Sequence, residues 1–236
     1  PSPVGSDWQY DGIYSDPLAW LSDGSIDYIS PQLYWAIGHA TNDFSKLSPW
    51  WAKIANHFGR HFYSSNTSTF SITELNNEVA TNRNADLNGT TGSVYFRTNN
   101  LYQDRLNGLK TSSYQSPALR AAYGWKMAPV QSLVDNLAVT GQNLSWTYSN
   151  ESVRYSIYAV PKANRNDAGV FTGSGYLVGI SYTKNFTLPA NVSSLTHDIA
   201  VAVYDRFGNE FAPRVLGETV NTLLPPQLKY PANHAE

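Results

Sequence analysis

The stretch that decides the fold of the first half is residues 26–35, which read IDYISPQLYW. β-Branched and aromatic residues dominate this stretch, which is typical of a β-strand. A short helix is predicted just before it, because Asp16 can cap a helix N-terminus, Pro17 suits the first helical position and Gly24 can end the helix in the left-handed conformation. The segment therefore predicts a short helix followed by a strand.

The same pattern recurs along the next 80 or so residues, roughly the length of two strand-helix units. A helix is predicted to open at residues 48–49 and is followed by a strand at residues 60–63. Residues 71–74 have the spacing of a capping box, residues 93–97 form a third predicted strand, and the leucines within residues 101–109 mark a final helix. The three strands start at nearly even spacing, which is what a strand and its crossover helix require.

Repeated βα units build either an open doubly wound sheet or a (β/α)8 barrel, which needs about 250 residues. Three strands cannot close a barrel, so the sheet is either small and open or one part of a larger barrel. The chain begins at Pro1 without an initiator Met or a signal peptide. We therefore expect a processed or truncated piece of a longer protein.

From Ala128 onward the pattern becomes all-β, with turns rich in Gly, Asn and Pro between short strands, which is typical of a β-sandwich. The predicted strands are residues 143–148, 152–159, 176–182, 185–188 and 198–204. In the last of these, Ile199, Val201 and Val203 alternate and should face the same way. We therefore predict domains at residues 1–126 and 127–218, followed by a linker or tail at residues 219–236.

Composition narrows the class of protein further. The 236 residues carry 16 Lys and Arg against 18 Asp and Glu, and there is no Cys. Without a basic block, a nucleic-acid partner is not expected, and no stretch is apolar enough to predict a membrane span. Charged residues make up only 14% of the chain, so neutral hydrogen-bonding groups carry its polarity. That balance favours an extracellular or cell-surface protein that faces carbohydrate.

Side chains at the carboxyl ends of the predicted strands are the candidates for substrate binding, because parallel α/β proteins bind ligands at that edge. Sugars are recognised by flat aromatic rings together with amides and charged groups that pair with hydroxyls. The candidates are Gln32, Tyr34, Trp35, Tyr63, Asn66 and Arg97. The alternative is structural, with Tyr34 and Trp35 packed under a neighbouring helix and the other side chains serving as ordinary loop polarity.

Acid/base cleavage of a glycosidic bond requires two carboxylates about 5–9 Å apart. Asp7 and Asp11 are weak candidates, since they lie in an aromatic-rich stretch that could approach a site from a preceding loop. Asp16 and Asp43 are better explained as structural groups, and Asp27 lies at the wrong end of its strand. The sequence therefore offers no convincing acid/base pair. The spacing of the five His residues predicts no metal site, and no motif predicts a cofactor.

Residues 10–16 (YDGIYSD) followed by residues 26–35 resemble glycosyl hydrolase-like family 10, the YngK-like group. Shorter matches at residues 50–52, 92–96 and 116–119 continue the resemblance, which covers about residues 5–125. It implies that the three strands are the last three of a (β/α)8 (TIM) barrel. It also implies that the acidic centre lies upstream of Pro1, and that Gln32, Tyr34 and Trp35 line the cleft. Arg97 stands where the family usually has a small residue.

The second half resembles a fibronectin type III domain, an immunoglobulin-like β-sandwich. Residues 143–146 (NLSW) are similar to its strand with a buried Trp, and residues 201–210 are similar to its closing V-x-A-x-D-x-x-G-N-E/S pattern. The family's frequent Tyr is replaced by Ile199, so no tyrosine-corner hydrogen bond is expected. Such a module usually spaces or braces a catalytic domain.

The two resemblances together predict the C-terminal piece of a secreted glycoside hydrolase that acts on a polysaccharide with carboxylates and no cofactor. This piece alone should not turn over substrate. The alternative is a non-catalytic carbohydrate-binding module or a surface interaction module. A sheet that is only part of a barrel has two edge strands with unpaired backbone N–H and C=O groups. Self-association through those edges is therefore also expected.

Overall fold

The computed structural model describes residues 6–84, 90–101, 104–126, 132–149, 153–171 and 175–218, without the side chains of residues 6–8, 90 and 91. The chain divides into two compact units, Pro1–Gln115 and Ser116–Glu236. The division therefore falls before Trp125, whereas the sequence suggested a boundary after residue 126. The predicted tail at residues 219–236 lies outside the described residues. Within the described part of the chain, no helix is long and apolar enough to cross a membrane.

The first unit combines helices with a parallel sheet. Its helices are α1 (Ser6–Ile13), α2 (Pro17–Ser22), α3 (Phe44–His57), α4 (Ile72–Arg83), α5 (Thr98–Leu101) and α6 (Asp104–Thr111). Its strands are β1 (Tyr28–Ile29), β2 (His61–Thr67) and β3 (Thr90–Phe96). The strands are parallel and lie in the order β1-β2-β3, with helices between them in the chain. This arrangement is the one that successive βα units produce.

The first strand is much shorter than its sequence suggested. Regular pairing covers only Tyr28–Ile29, and a separate parallel bridge joins Gln32 to Ser65. Pro31 lies between them and has no backbone N–H to donate to a sheet. The second strand is longer than predicted, because pairing with β3 continues as far as Thr67. The additional residues 64–67 therefore belong to the sheet rather than to a loop after it.

Side-chain caps fix the helix starts. The Asp16 carboxylate accepts the backbone N–H of Ala19 at 2.9 Å, and the Ser71 hydroxyl accepts the N–H of Glu74 at 3.2 Å, so both predicted caps are confirmed. The third helix departs from the prediction, since Asp43 caps it and Pro49 lies inside it. The predicted start at residues 48–49 was therefore wrong.

A hydrophobic cluster lies between the sheet and the helices of the first unit. Leu33, Phe44, Trp51, Ala55 and Phe62 are among its buried members. Phe62 comes from β2, while Phe44, Trp51 and Ala55 come from α3, so one face of the sheet is covered by helix. The side chains of Tyr28, Val94 and Phe96, by contrast, are exposed.

The second unit consists of two antiparallel sheets. Its strands are β4 (Asp135–Thr140), β5 (Asn143–Thr147), β6 (Arg154–Pro161), β7 (Leu177–Ser181), β8 (Asn185–Thr187), β9 (His197–Tyr204) and β10 (Arg214–Val215). Three form the sheet β4-β5-β8 and four form the sheet β10-β9-β6-β7. Both sheets contribute to one core, in which Leu144 and Trp146 of β5 meet Ile157 of β6 and Val201 of β9. This is a two-layer arrangement of sheets around a shared core.

The sequence predicted five of these strands and missed β4 and β10. The alternation of Ile199, Val201 and Val203 toward one core is confirmed. Trp146 is buried, as its resemblance to the Trp-bearing strand suggested. The fibronectin type III assignment itself stays a prediction.

The four-stranded sheet also buries its second face. Tyr158, Leu177, Ala200 and Ala202 form a second cluster there, against which Leu119 packs. Leu119 belongs to residues 116–126, which we call the entry segment. The entry segment therefore covers part of the sandwich, in agreement with the position of the unit boundary.

Hydrogen bonds hold the entry segment in place. The Tyr204 hydroxyl donates to the carbonyl of Arg120 at 3.1 Å, and the backbone N–H of Tyr123 donates to the carbonyl of Phe207 at 2.8 Å. The buried Asp205 carboxylate shapes the turn at residues 205–209 by accepting the N–H groups of Phe207 and Asn209, each at 2.8 Å. The turn and the entry segment are thus tied together.

Candidate functional site

One face of the three-stranded sheet presents aromatic and neutral polar side chains. Parallel register pairs Tyr63 with Gly92, Ser65 with Val94 and Thr67 with Phe96, and a bridge pairs Gln32 with Ser65. Side chains at alternate strand positions share a face. We call this set the open face: Tyr28, Gln32, Tyr34, Tyr63, Ser65, Thr67, Val94 and Phe96.

Two pairs of aromatic rings lie on the open face. Tyr34 and Phe96 stack with centroids 5.9 Å apart and an interplanar angle of 22°, and Tyr28 meets Tyr63 edge to face at 5.5 Å. Phe96 is 56% exposed and Tyr28 is 50% exposed. Large aromatic side chains that remain half exposed on one surface are characteristic of a binding site.

The Tyr34–Phe96 pair lies at the carboxyl edge of the sheet. Phe96 is the last residue of β3, Thr67 is the last residue of β2, and Tyr34 follows the bridge at Gln32. Tyr34 Oη lies 3.3 Å from Ser65 Oγ, so a hydrogen bond fixes the phenol. Ligands of parallel α/β proteins bind at this edge.

The structure separates the candidates predicted from the sequence. Gln32 is exposed and Tyr34 and Tyr63 are partly buried on the open face, while Arg97 is exposed directly after β3. Trp35 packs partly against the hydrophobic cluster on the helix side, with its ring centroid 6.5 Å from that of His39. A role of these residues in substrate binding stays a prediction.

Asn66 lies elsewhere than the sequence suggested. It was expected on a rim beyond the strand, but it is a residue of β2, is fully buried and faces the helices. Its side-chain amide donates to Glu78 Oε2 of α4 at 2.7 Å, and its carbonyl accepts from Ser64 Oγ at 2.7 Å. Asn66 lies within the sheet because β2 extends to Thr67, four residues beyond the predicted end of the strand.

Asn66 belongs to a buried polar network behind the open face. Asn82 of α4 donates to Ser64 Oγ at 2.6 Å and accepts from Ser48 Oγ of α3 at 2.6 Å. Burial raises the pKa of Glu78 to about 8, opposed by the hydrogen bond from Asn66. Glu78 is therefore largely protonated at neutral pH, which suits a structural group held between sheet and helix better than a solvent-facing catalytic carboxylate.

The two weak catalytic candidates also lie in an unexpected element. Asp7 and Asp11 are residues of helix α1, whereas the sequence suggested a loop. Asp11 is exposed to solvent, and the side chain of Asp7 is outside the described part. Among the eight described residues that form the open face, none carries a carboxylate. Among the described residues, no group of three or more His, Cys, Asp or Glu side chains is arranged to hold a metal ion.

Sequence reasoning missed Tyr28, Ser65 and Phe96. Each alternates with a residue on the helix side, for example Ser65 with Ser64 and Asn66. Alternation of side chains along a strand could have identified them, but only once the ends of β2 and β3 were known.

Part of the first unit is similar to a known protein family. Residues 1–80 match the family model described as Glycosyl hydrolase-like 10. These residues include β1 and β2 with Tyr34, Tyr63 and Ser65. The match supports the resemblance that residues 10–16 and 26–35 suggested.

Individual relatives agree with the family match. The chain is 29% identical over 145 residues to Glycosyl hydrolase YngK of Bacillus subtilis (strain 168), an alignment that covers 52% of this chain and 27% of YngK. It is 38% identical over 56 residues to Glycosyl hydrolase DigH of Escherichia coli (strain K12), which covers 22% of this chain and 13% of DigH. The chain thus spans about a quarter or less of these relatives, and both are named as glycosyl hydrolases.

Proposed function

We propose that this chain forms one wall of the substrate cleft of a glycoside hydrolase that acts on a polysaccharide. The observation that carries the proposal is the open face. Exposed aromatic rings of Tyr28 and Phe96 share this face with the exposed side chain of Gln32, and Tyr28 and Gln32 belong to residues 1–80, which are similar to glycosyl hydrolases. Aromatic rings pack against the C–H faces of sugars, and amide and hydroxyl groups satisfy the hydroxyls at their edges.

In this proposal the carboxylates that perform acid/base catalysis lie outside this chain. The support is that none of the open-face residues in the described part of the chain is Asp or Glu. Cleavage by the usual two-carboxylate mechanism needs both groups beside the bond. The parent enzyme would be secreted or attached to the cell surface, and it would use no metal or other cofactor.

A binding experiment with the 236-residue chain tests the proposal. Isothermal titration against chitohexaose, cellohexaose and maltohexaose should reveal binding of at least one sugar, while assays for newly formed reducing ends should show no turnover. Hydrolysis at enzyme-like rates that Asp11→Ala abolishes would refute the proposed location of the carboxylates.

The alternative is a non-catalytic module that binds glycan or another surface partner. It is favoured by the same lack of carboxylates on the open face. A longer form of the protein that includes the expected upstream strands separates the two readings, because the hydrolase proposal requires that form to release reducing ends. Binding without any turnover by the longer form would support the alternative.

Self-association remains a proposal as well. Within the described residues, β1 and β3 are the two edge strands of the sheet. Unpaired strand edges offer backbone N–H and C=O groups to a second copy. Light scattering over a wide range of concentration should show mass above that of a monomer, and a constant monomer mass would count against it.

A further inference from the structure

We infer that Phe96 and Tyr34 form a two-ring platform for one pyranose ring of the glycan, and that Ser65 is the residue that positions Tyr34. This inference rests on the proposed function and adds two residues, Phe96 and Ser65, that the sequence did not single out.

The geometry of the rings points to a flat ligand. The rings are stacked with planes that differ by only 22°, so Tyr34 supports one face of Phe96 and the outer face of the stack is left for a flat ligand. Phe96 is 56% exposed although it ends a strand, where a Phe ordinarily gains from burial. A pyranose ring has flat faces of C–H groups and an equator of hydroxyls, and it can cover such a surface while its hydroxyls remain hydrogen bonded.

The groups around the platform suit a sugar's hydroxyls. Thr67 is the register partner of Phe96, and Gln32 is the bridge partner of Ser65, so a hydroxyl and a primary amide flank the rings. An apolar surface bordered by such donors and acceptors matches a sugar better than a purely apolar ligand.

Ser65 acts through Tyr34 rather than on the sugar. Its side chain is 6% exposed, and its Oγ lies 3.3 Å from Tyr34 Oη. The contact joins the loop after β1 to the middle of β2, 31 positions apart in the chain. It therefore holds the Tyr34 ring parallel to Phe96, and loss of the hydroxyl should let that ring rotate out of the platform.

The test compares variants of the full 236-residue chain by titration with chitohexaose, cellohexaose and maltohexaose. Phe96→Ala should weaken binding of the preferred sugar about tenfold, which is the effect of about 1.4 kcal/mol. Leu106→Ala is the control, because Leu106 is a similarly exposed apolar residue, 45% exposed, that lies on helix α6 outside the open face, and it should change the affinity less than about twofold. Phe96→Leu retains apolar bulk without the aromatic face and should resemble Phe96→Ala.

The role of Ser65 is tested by rescue and by coupling. Ser65→Ala and Tyr34→Phe should weaken binding by the same factor, and the double variant should lose no more than either one, since both remove the same hydrogen bond. Ser65→Thr retains the hydroxyl and should restore affinity. Equal losses from Ser65→Ala and Ser65→Thr would refute the positioning role.

The outcomes separate this inference from the function on which it rests. If the unaltered chain binds none of the three sugars, the proposed contact of this chain with glycan is refuted, and the platform with it. If the unaltered chain binds and Phe96→Ala binds as Leu106→Ala does, the platform is refuted and the proposed function stands.

Discussion

The clearest quantitative prediction concerns Gly208, where the turn at residues 205–209 meets the entry segment. Gly208 has φ +87°, and a Cβ at this position would lie 2.8 Å from the carbonyl oxygen of Ala121 and 3.0 Å from Cα of Ala122. Gly208→Ala therefore incurs two costs. The left-handed backbone costs an L-residue about 1–2 kcal/mol, and overpacking against main chain adds about 1–3 kcal/mol.

Gly217→Ala is the reference variant that carries only the backbone cost, so the difference between the two variants gives the cost of overpacking. Gly217 has nearly the same φ, +85°, but nothing lies within 4 Å of its added Cβ. Both substitutions also restrict the unfolded chain equally, so that contribution cancels in the comparison. We expect Gly208→Ala to lower the free energy of unfolding of the second unit by about 1–3 kcal/mol more than Gly217→Ala does.

Hydrogen exchange followed by mass spectrometry provides the measurement, because it reports the opening free energy of each unit separately. Amides of β6 and β9 form the centre of the four-stranded sheet and should exchange through opening of the whole unit. Peptides from β2 serve as an internal control and should not change. Losses that agree within about 0.5 kcal/mol for the two variants would refute the close packing of the entry segment on the turn.

Three further predictions follow from named contacts. The raised pKa of Glu78, about 8, keeps the folded carboxyl protonated while the unfolded one ionises near 4.5, so stability should fall as pH rises through this window. Glu78→Gln should flatten that dependence in urea unfolding curves measured from pH 5 to pH 8. Asp205→Asn replaces the acceptor for the Asn209 amide, 3.0 Å away, and should cost about 1–3 kcal/mol by thermal unfolding. Ser71→Ala removes the α4 cap and should cost about 1 kcal/mol, detectable as faster exchange in the first turn of α4.

The sequence predicted the strand-helix order of the first unit because its signals were local. The caps at Asp16 and Ser71 and the aromatic strand at residues 26–35 depend on neighbouring residues alone. The start of α3 shows the limit of local signals. The sequence prediction placed the start at Pro49, because proline favours the first turn of a helix, but the actual cap is Asp43, whose carboxylate accepts the N–H of Ser45 at 2.9 Å. Proline is uncommon at the sixth position of a helix. The contacts that α3 makes with the core compensate for Pro49 in that position, and these contacts cannot be seen from neighbouring residues.

Asn66 shows why the site could be predicted only in part. Sheet residues that face helices are usually apolar, so Ser64 and Asn66 did not look like strand positions on the helix side. Their partners are Glu78 and Asn82, four positions apart on one side of α4, where they interrupt an otherwise apolar stripe. That spacing was visible in the sequence, but it became meaningful only once α4 was known to cover β2.

The entry segment presents the same difficulty over a longer range. Its residues 116–126 contain no strand or helix signal. Leu119 packs against the cluster that contains Tyr158 and Ala200, which lie far away in the chain on the outer face of a sheet. A sandwich strand is normally expected to present polar residues outward, yet Tyr158, Ala200 and Ala202 are apolar or aromatic and fully buried. Apolar outward positions in two neighbouring strands indicate that something covers them. Leu119 of the entry segment and Phe171 pack there, so the chain that enters the sandwich supplies part of this cover, and the second compact unit accordingly begins at Ser116, before the boundary predicted after residue 126.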